Sequence, residues 1–153
     1  MNQHAEGHTV RRYDGEQGDL HGRLVAMGRL VLRQVKDAVE AFQGRDAALA
    51  QQVISLDHEV DQLEVATDGE IVDIIARRSP LGSDLRWVLA VSKSVSDLER
   101  IGDEAVKLAG VVIQLFTSAG SAPGNELMRH VNAMGGLAVS SLENGDRPLR
   151  SMG

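Results

Sequence analysis

An all-α fold is predicted for this chain: an up-down-up three-helix bundle, followed by a partial fourth helix. Three observations carry that prediction. Apolar residues recur at helical rather than alternating spacing along most of the 153 residues. Breaks around Gly44 and Pro80 cut this pattern into long segments, and short turns between long helices bring each one back alongside its predecessor. With only 3% aromatic residues, the core is expected to be built from Val, Leu, Ile, Ala and Met.

Residues 1–18 are polar and contain glycine, and are expected to form a flexible N-terminal segment. Residues 19–118 form the bundle. Leu20, Leu24, Met27, Val31, Val35, Ala38 and Phe42 lie on one face of the first helix. Gly44 is expected at its C′ position and Asp46 at the N-cap of the second. That second helix should run from about Ala47 to Arg78, burying Val53, Leu56, Val60, Leu63, Ile71 and Ile74. Pro80 restricts Ser79 and stops it, leaving Ser83 or Asp84 to cap the third. The third should bury Val88, Val91, Val95, Leu98, Gly102, Ala109, Ile113 and Phe116. Residues 119–125 read as a Gly/Ser/Pro linker. Residues 126–153 then supply one amphipathic helix and a tail, with Leu127, Val131, Met134, Ala138 and Leu142 as its apolar side. "AMGRLV" at 26–31 returns as "AMGGLA" at 133–138, a weak repeat that suggests an incomplete second bundle.

Bulk properties exclude several functions. The net charge is −6, which argues against a sequence-independent grip on nucleic acid. There is no cysteine, hence no disulfide, thiolate metal site or cysteine nucleophile. The N-terminus lacks the apolar core of a secretory signal, and no apolar run reaches the roughly 18 residues that cross a bilayer. A cytoplasmic address is expected.

The chemistry-bearing pattern is acidic. Asp57, Asp61, Glu64 and Asp68 fall within about 60° of one another on the second helix, bordering its buried face. Glu99 and Asp103 do the same on the third, in line with Ser92 and Ser96. If the hairpin is mirrored about Pro80, Asp57 meets Asp103 and Asp61 meets Glu99, while Glu64 and Asp68 meet Ser96 and Ser92. Carboxylates crowded in this way raise one another's pKa unless a cation intervenes. Oxygen-only ligation would suit a hard ion such as Mg, Mn, Ca or ferric iron. Asp57, Asp61, Glu99 and Asp103 are the expected metal ligands, with Glu64 and Asp68 secondary. The plainer alternative is a solvated acidic edge.

The stretch "ARRSPLGSDLRWVLAVSKSVSDLERIGDEA", with "DHEVDQLEVATDGEIVDIIA" upstream, resembles the PhoU family of phosphate-uptake regulators. The likeness covers roughly residues 19–118, including the R-x-P turn and K-x-x-x-x-L-E-R-I-G-D. It implies two tandem three-helix bundles, each with paired acidic motifs able to bind metal ions. It also implies a cytosolic, usually oligomeric protein that works at the membrane through its partners. Those partners would be a phosphate ABC transporter and a phosphate-sensing histidine kinase, restrained when phosphate is plentiful. The family's motifs fall here on Asp57 with Asp61 and on Glu99 with Asp103. The chain departs from the family by stopping within the first helix of the second bundle.

Other residues are weaker candidates. Arg77, Arg78, Arg86 and Arg100 could form a partner-binding surface; the alternative is pairing within their own helices, for example Asp97 with Arg100 or Asp103 with Lys107. His4, His8 and His58 read as surface histidines, and Trp87 as a core-edge anchor. No catalytic triad, phosphate-binding loop or zinc motif is present, so a non-enzymatic regulator is the expected function. A shortened inactive remnant and a metal-dependent helical-bundle hydrolase are the alternatives.

Overall fold

The structure, a computed structural model, describes residues 3–117 and 125–145, with side chains from Tyr13 onward and for much of the last helix. Four helices follow in order: α1 Gln3–Gly44, α2 Ala47–Arg78, α3 Ser83–Thr117 and α4 Asn125–Gly145. No strand occurs among the described residues. The first three pack pairwise on one another, and α4 lies against α1. The expected linker at 119–125 and the tail beyond α4 fall almost wholly outside the described residues.

Helix α1 departs from expectation at its start. Residues 3–18 continue the helix instead of forming a loose segment. Tyr13 packs against the core, and Glu16 accepts from Nε and Nη2 of Arg78, both at 3.2 Å. A polar composition did not signal this, because the partners lie on α2.

The α1–α2 turn is tight. Arg45, not Gly44, takes the left-handed conformation, with φ of 53°, and the Asp46 N–H reaches back to the Ala41 carbonyl at 2.8 Å. Asp46 caps α2 as expected, its Oδ1 accepting from the Leu49 N–H at 2.9 Å. At the far end Ser79 is left-handed, with φ of 43°, ahead of buried Pro80. Gly82, at φ 58°, occupies the position before α3, so Ser83 opens the helix instead of capping it.

The core divides into two clusters. One gathers Leu20, Met27, Val31, Val60, Ile71, Ile74, Val88, Val91 and Val95 towards the α2–α3 turn, with Trp87 at its edge. The other gathers Val35, Ala38, Phe42, Val53, Ala105, Ala109 and Val112 towards the α1–α2 turn. Burying aliphatic side chains of this kind contributes about 1.5–3 kcal/mol each. What lies between the clusters is polar. Gln34, fully buried, occupies the gap on α1, at the level of Asp57 on α2 and Gly102 on α3.

Helix α4 runs antiparallel to α1. Gln43 donates to Asn132 at 2.7 Å, and Lys36 pairs with Glu143 at 2.6 Å. Gly135 meets Val39, where a side chain has no room. The seated face is therefore Asn132, Gly135, Val139 and Glu143. Met134, expected to be inward, is 71% exposed, as is Leu137. The side chains of Leu127, Val131, Ala138 and Leu142 lie outside those described.

Candidate functional site

The acids come together along the margin where α2 meets α3. Asp57, Glu64 and Glu99 are half-buried, while Asp61, Asp68 and Asp103 are exposed. None of these six forms an ion pair with Lys or Arg among the described residues.

Across the seam Asp61 acts on Glu99, the pair that a mirror about Pro80 expects, and further pairs join it. Asp61 also feels Asp103, and Glu64 feels Glu99 before any other charge. These added partners lie three or four positions further along α3 than the mirror places them. The cause is the tilt of helical side chains towards the N-terminus. On α2 that direction leads away from the turn, and on α3 it leads towards it. The α3 partner must therefore start further along its helix to meet the same carboxylate.

Mutual repulsion shows in the protonation of the seam. Glu99 is pushed above the usual carboxylate range by the Asp103 charge first, then by loss of solvent, then by a hydrogen bond in which a protonated Glu99 donates to Asp103; Asp61 adds to the rise and Arg100 opposes it. Glu64 is raised by burial and then by Glu99, Asp68, Asp61 and Asp103. Asp61 remains exposed as a residue, yet packing around its carboxyl raises it first, followed by Asp57 and Asp103, with His58 opposing.

Asp57 has a different environment. Its Oδ1 accepts from Gln34 Nε2 at 3.0 Å, while the same nitrogen lies 3.5 Å from the Val53 carbonyl. Two acceptors on one side fix which end of the amide is nitrogen. The other end, Gln34 Oε1, is buried with no protein donor. It lies against Gly102: a Cβ built there would be 2.9 Å from Oε1. The glycine of "ERIGD" is therefore a matter of space, and Gln34 is the site residue that sequence reasoning missed. Its signal was a lone amide three residues after Val31 and four before Ala38, on a face otherwise apolar.

Among the described residues, no three carboxylates or imidazoles converge closely enough to hold a metal ion. The donor chemistry fits a hard cation; the convergence, with the side chains as they stand, does not. The basic candidates are also dispersed. Arg78 is engaged with Glu16 and Arg77 with Asp73 at 3.1 Å. Arg86 and Arg100 are exposed and about 20 Å apart along α3. On α3 the helix-internal pairs among the described residues are Lys93 with Asp97 and Lys107 with Glu104, in place of those expected. His58 is exposed and lies 3.2 Å from Gln62.

Comparison with known proteins assigns this architecture. The PhoU domain model matches residues 24–112, the three-helix bundle with its entire acidic seam. The chain belongs to the PhoU domain family. The chain is 46% identical over 126 residues to the phosphate-specific transport system accessory protein PhoU homolog of Pseudomonas aeruginosa, covering 82% of this chain and 52% of that protein. It is 38% identical over 117 residues to the phosphate-specific transport system accessory protein PhoU of Escherichia coli, covering 76% and 47%. The crystal structure of PhoU from Pseudomonas aeruginosa superposes with a TM-score of 0.79 at 44% identity, covering 86% of this chain and 61% of that one. The chain thus spans about half the length of the curated PhoU proteins it matches. No described helix is long and apolar enough to cross a membrane.

Proposed function

We propose that this PhoU-domain chain is a non-enzymatic, cytosolic regulator of phosphate uptake and phosphate-starvation signalling. It would act by protein contact with a phosphate ABC transporter and with its sensor histidine kinase. The observation that carries this reading is the match of the whole helical bundle to the PhoU domain, together with relatives named as accessory proteins of the phosphate-specific transport system. Deleting the gene should switch on a phosphate-starvation reporter in phosphate-rich medium, and restoring this chain should switch it off. A reporter unmoved by deletion, together with a pull-down that recovers neither partner from membrane extract, would refute the assignment.

The seam supports a second element of the same reading, a hard divalent or ferric cation held by Asp61, Glu64, Glu99 and Asp103 with Asp57 alongside. Such an ion would supply positive charge between carboxylates that otherwise repel. This chain's part is to present oxygen donors from two helices at one height, with Gln34 holding Asp57 in place. Since no three donors converge within the described residues, binding would require rotamer changes, bridging water or donors from a second copy in a homo-oligomer. Elemental analysis of purified protein tests this, with Asp61→Ala and Glu99→Ala as controls. Metal content unchanged by both substitutions would place any ion elsewhere.

A further inference from the structure

Towards the α2–α3 turn, the same face of the hairpin changes from acidic to apolar. Val72 is 64% exposed, Ile75 39% and Leu89 54%, with Val65 at 72% among the acids themselves. On the helical wheel of α2 these three α2 residues share a sector of about 100° with the acids of that helix; on α3, Leu85 and Leu89 share one with Glu99 and Asp103. Val72 and Leu89 lie at nearly equal distances from the turn. The face thus has two halves, exposed aliphatics next to the turn and unpaired carboxylates beyond them. On α3 the cations follow on the outer border of this face: Lys93 and Lys107 are each paired with an acid of their own helix, Asp97 and Glu104, and Arg86 and Arg100 lie just beyond the bearing of Leu89. Exposed aliphatics gathered in one strip mark an interaction surface, and the charge beside them selects its occupant.

We propose that the outer face of the α2–α3 hairpin receives an amphipathic helix from a partner protein. The apolar turns of that helix would cover Val72, Ile75 and Leu89, and its Lys- or Arg-bearing end would lie over Asp61, Glu64, Glu99 and Asp103. The groove between two antiparallel helices accepts a third by the same ridge packing that seats α1 on the opposite side. From Ile75 to Asp57 the groove is about 27 Å long, so an occupant of about 18 residues fills it. Negative charge along half the groove argues against an anionic lipid surface. This inference rests on the reading of the chain as a contact-dependent regulator, and names the kind of element contacted.

Two synthetic helices of about 18 residues test it, each with a Leu stripe, one ending in a Lys cluster and one in a Glu cluster. Binding to the purified full chain, dialysed against chelator so that the carboxylates carry no cation, is followed by fluorescence anisotropy at low and high salt. The Lys-ended helix should bind at least about tenfold more tightly than the Glu-ended one and lose that preference in salt. Val72→Asp with Leu89→Asp should abolish binding of both helices. Glu64→Gln with Glu99→Gln should remove only the preference. All four residues lie outside the core, and circular dichroism establishes that the variants fold. Equal binding of the two helices, no binding of either, or indifference to the Asp variants would overturn the proposal. So would sedimentation with phosphatidylglycerol vesicles that the Asp variants abolish. None of these outcomes bears on the deletion phenotype, which tests the regulatory reading separately.

Discussion

Replacing Gly102 with Ala tests how the buried amide and the acid seam depend on each other. In an isolated helix the change favours folding by about 1 kcal/mol, because alanine is the better helix former. Here the added methyl would sit 2.9 Å from Gln34 Oε1, and Gln34 has no solvent-facing space to move into. Moving the amide breaks its 3.0 Å hydrogen bond to Asp57, a bond to a charged group worth about 1.5–3 kcal/mol. The net expectation is a loss of about 0.5–2 kcal/mol, opposite in sign to helix propensity. Urea unfolding of a double-mutant cycle measures it directly. In a Gln34→Ala background the obstruction is gone, and Gly102→Ala should stabilise by about 1 kcal/mol. An identical effect of Gly102→Ala in both backgrounds would refute the reasoning.

Three further outcomes are expected. Asp61, Glu64 and Glu99 hold their protons to higher pH when folded than when unfolded. The folded chain therefore binds more protons over that interval, and their contribution is fully present below about pH 4 and lost as pH rises through the raised values. The urea midpoint should rise as pH falls from neutral through the raised carboxylate range, and Glu99→Gln should flatten that rise; a parent midpoint that falls steadily as the carboxylates take up protons would contradict it. Arg78→Ala removes a two-pronged ion pair to Glu16 and should lower the urea midpoint, with faster amide exchange in α1 near Glu16. Gly135→Ala places a methyl against Val39 and should lift α4 from α1, seen as new protease cleavage in α4 while the three-helix core keeps its unfolding midpoint.

Much of the fold was legible because long helices declare themselves by period. Val53, Val60, Ile71 and Ile74 are buried as their spacing predicts, and Asp46 caps α2 as its residue type predicts. The acid stripes were legible for the same reason. What failed was information carried by geometry between helices. Glu64 pairs with Glu99 because side chains lean, a displacement no single-helix wheel contains. The first eighteen residues are helical from Gln3 although nothing in their composition calls for it. On α4 Met134 of the apolar stripe is left exposed, because Gly135 sets the close approach to Val39 and a glycine is silent in a hydrophobicity pattern.

The buried amide at position 34 has one more effect. Helices lined with similar valines could slide past one another by a turn and still cover their greasy sides. Such a slip would carry the Gln34 amide away from Asp57 and strand it among methyl groups, at about 1–3 kcal/mol for the lost partner. Alignment of the three rods is thereby keyed at mid-length, and the heights at which the acids meet are inherited from that key.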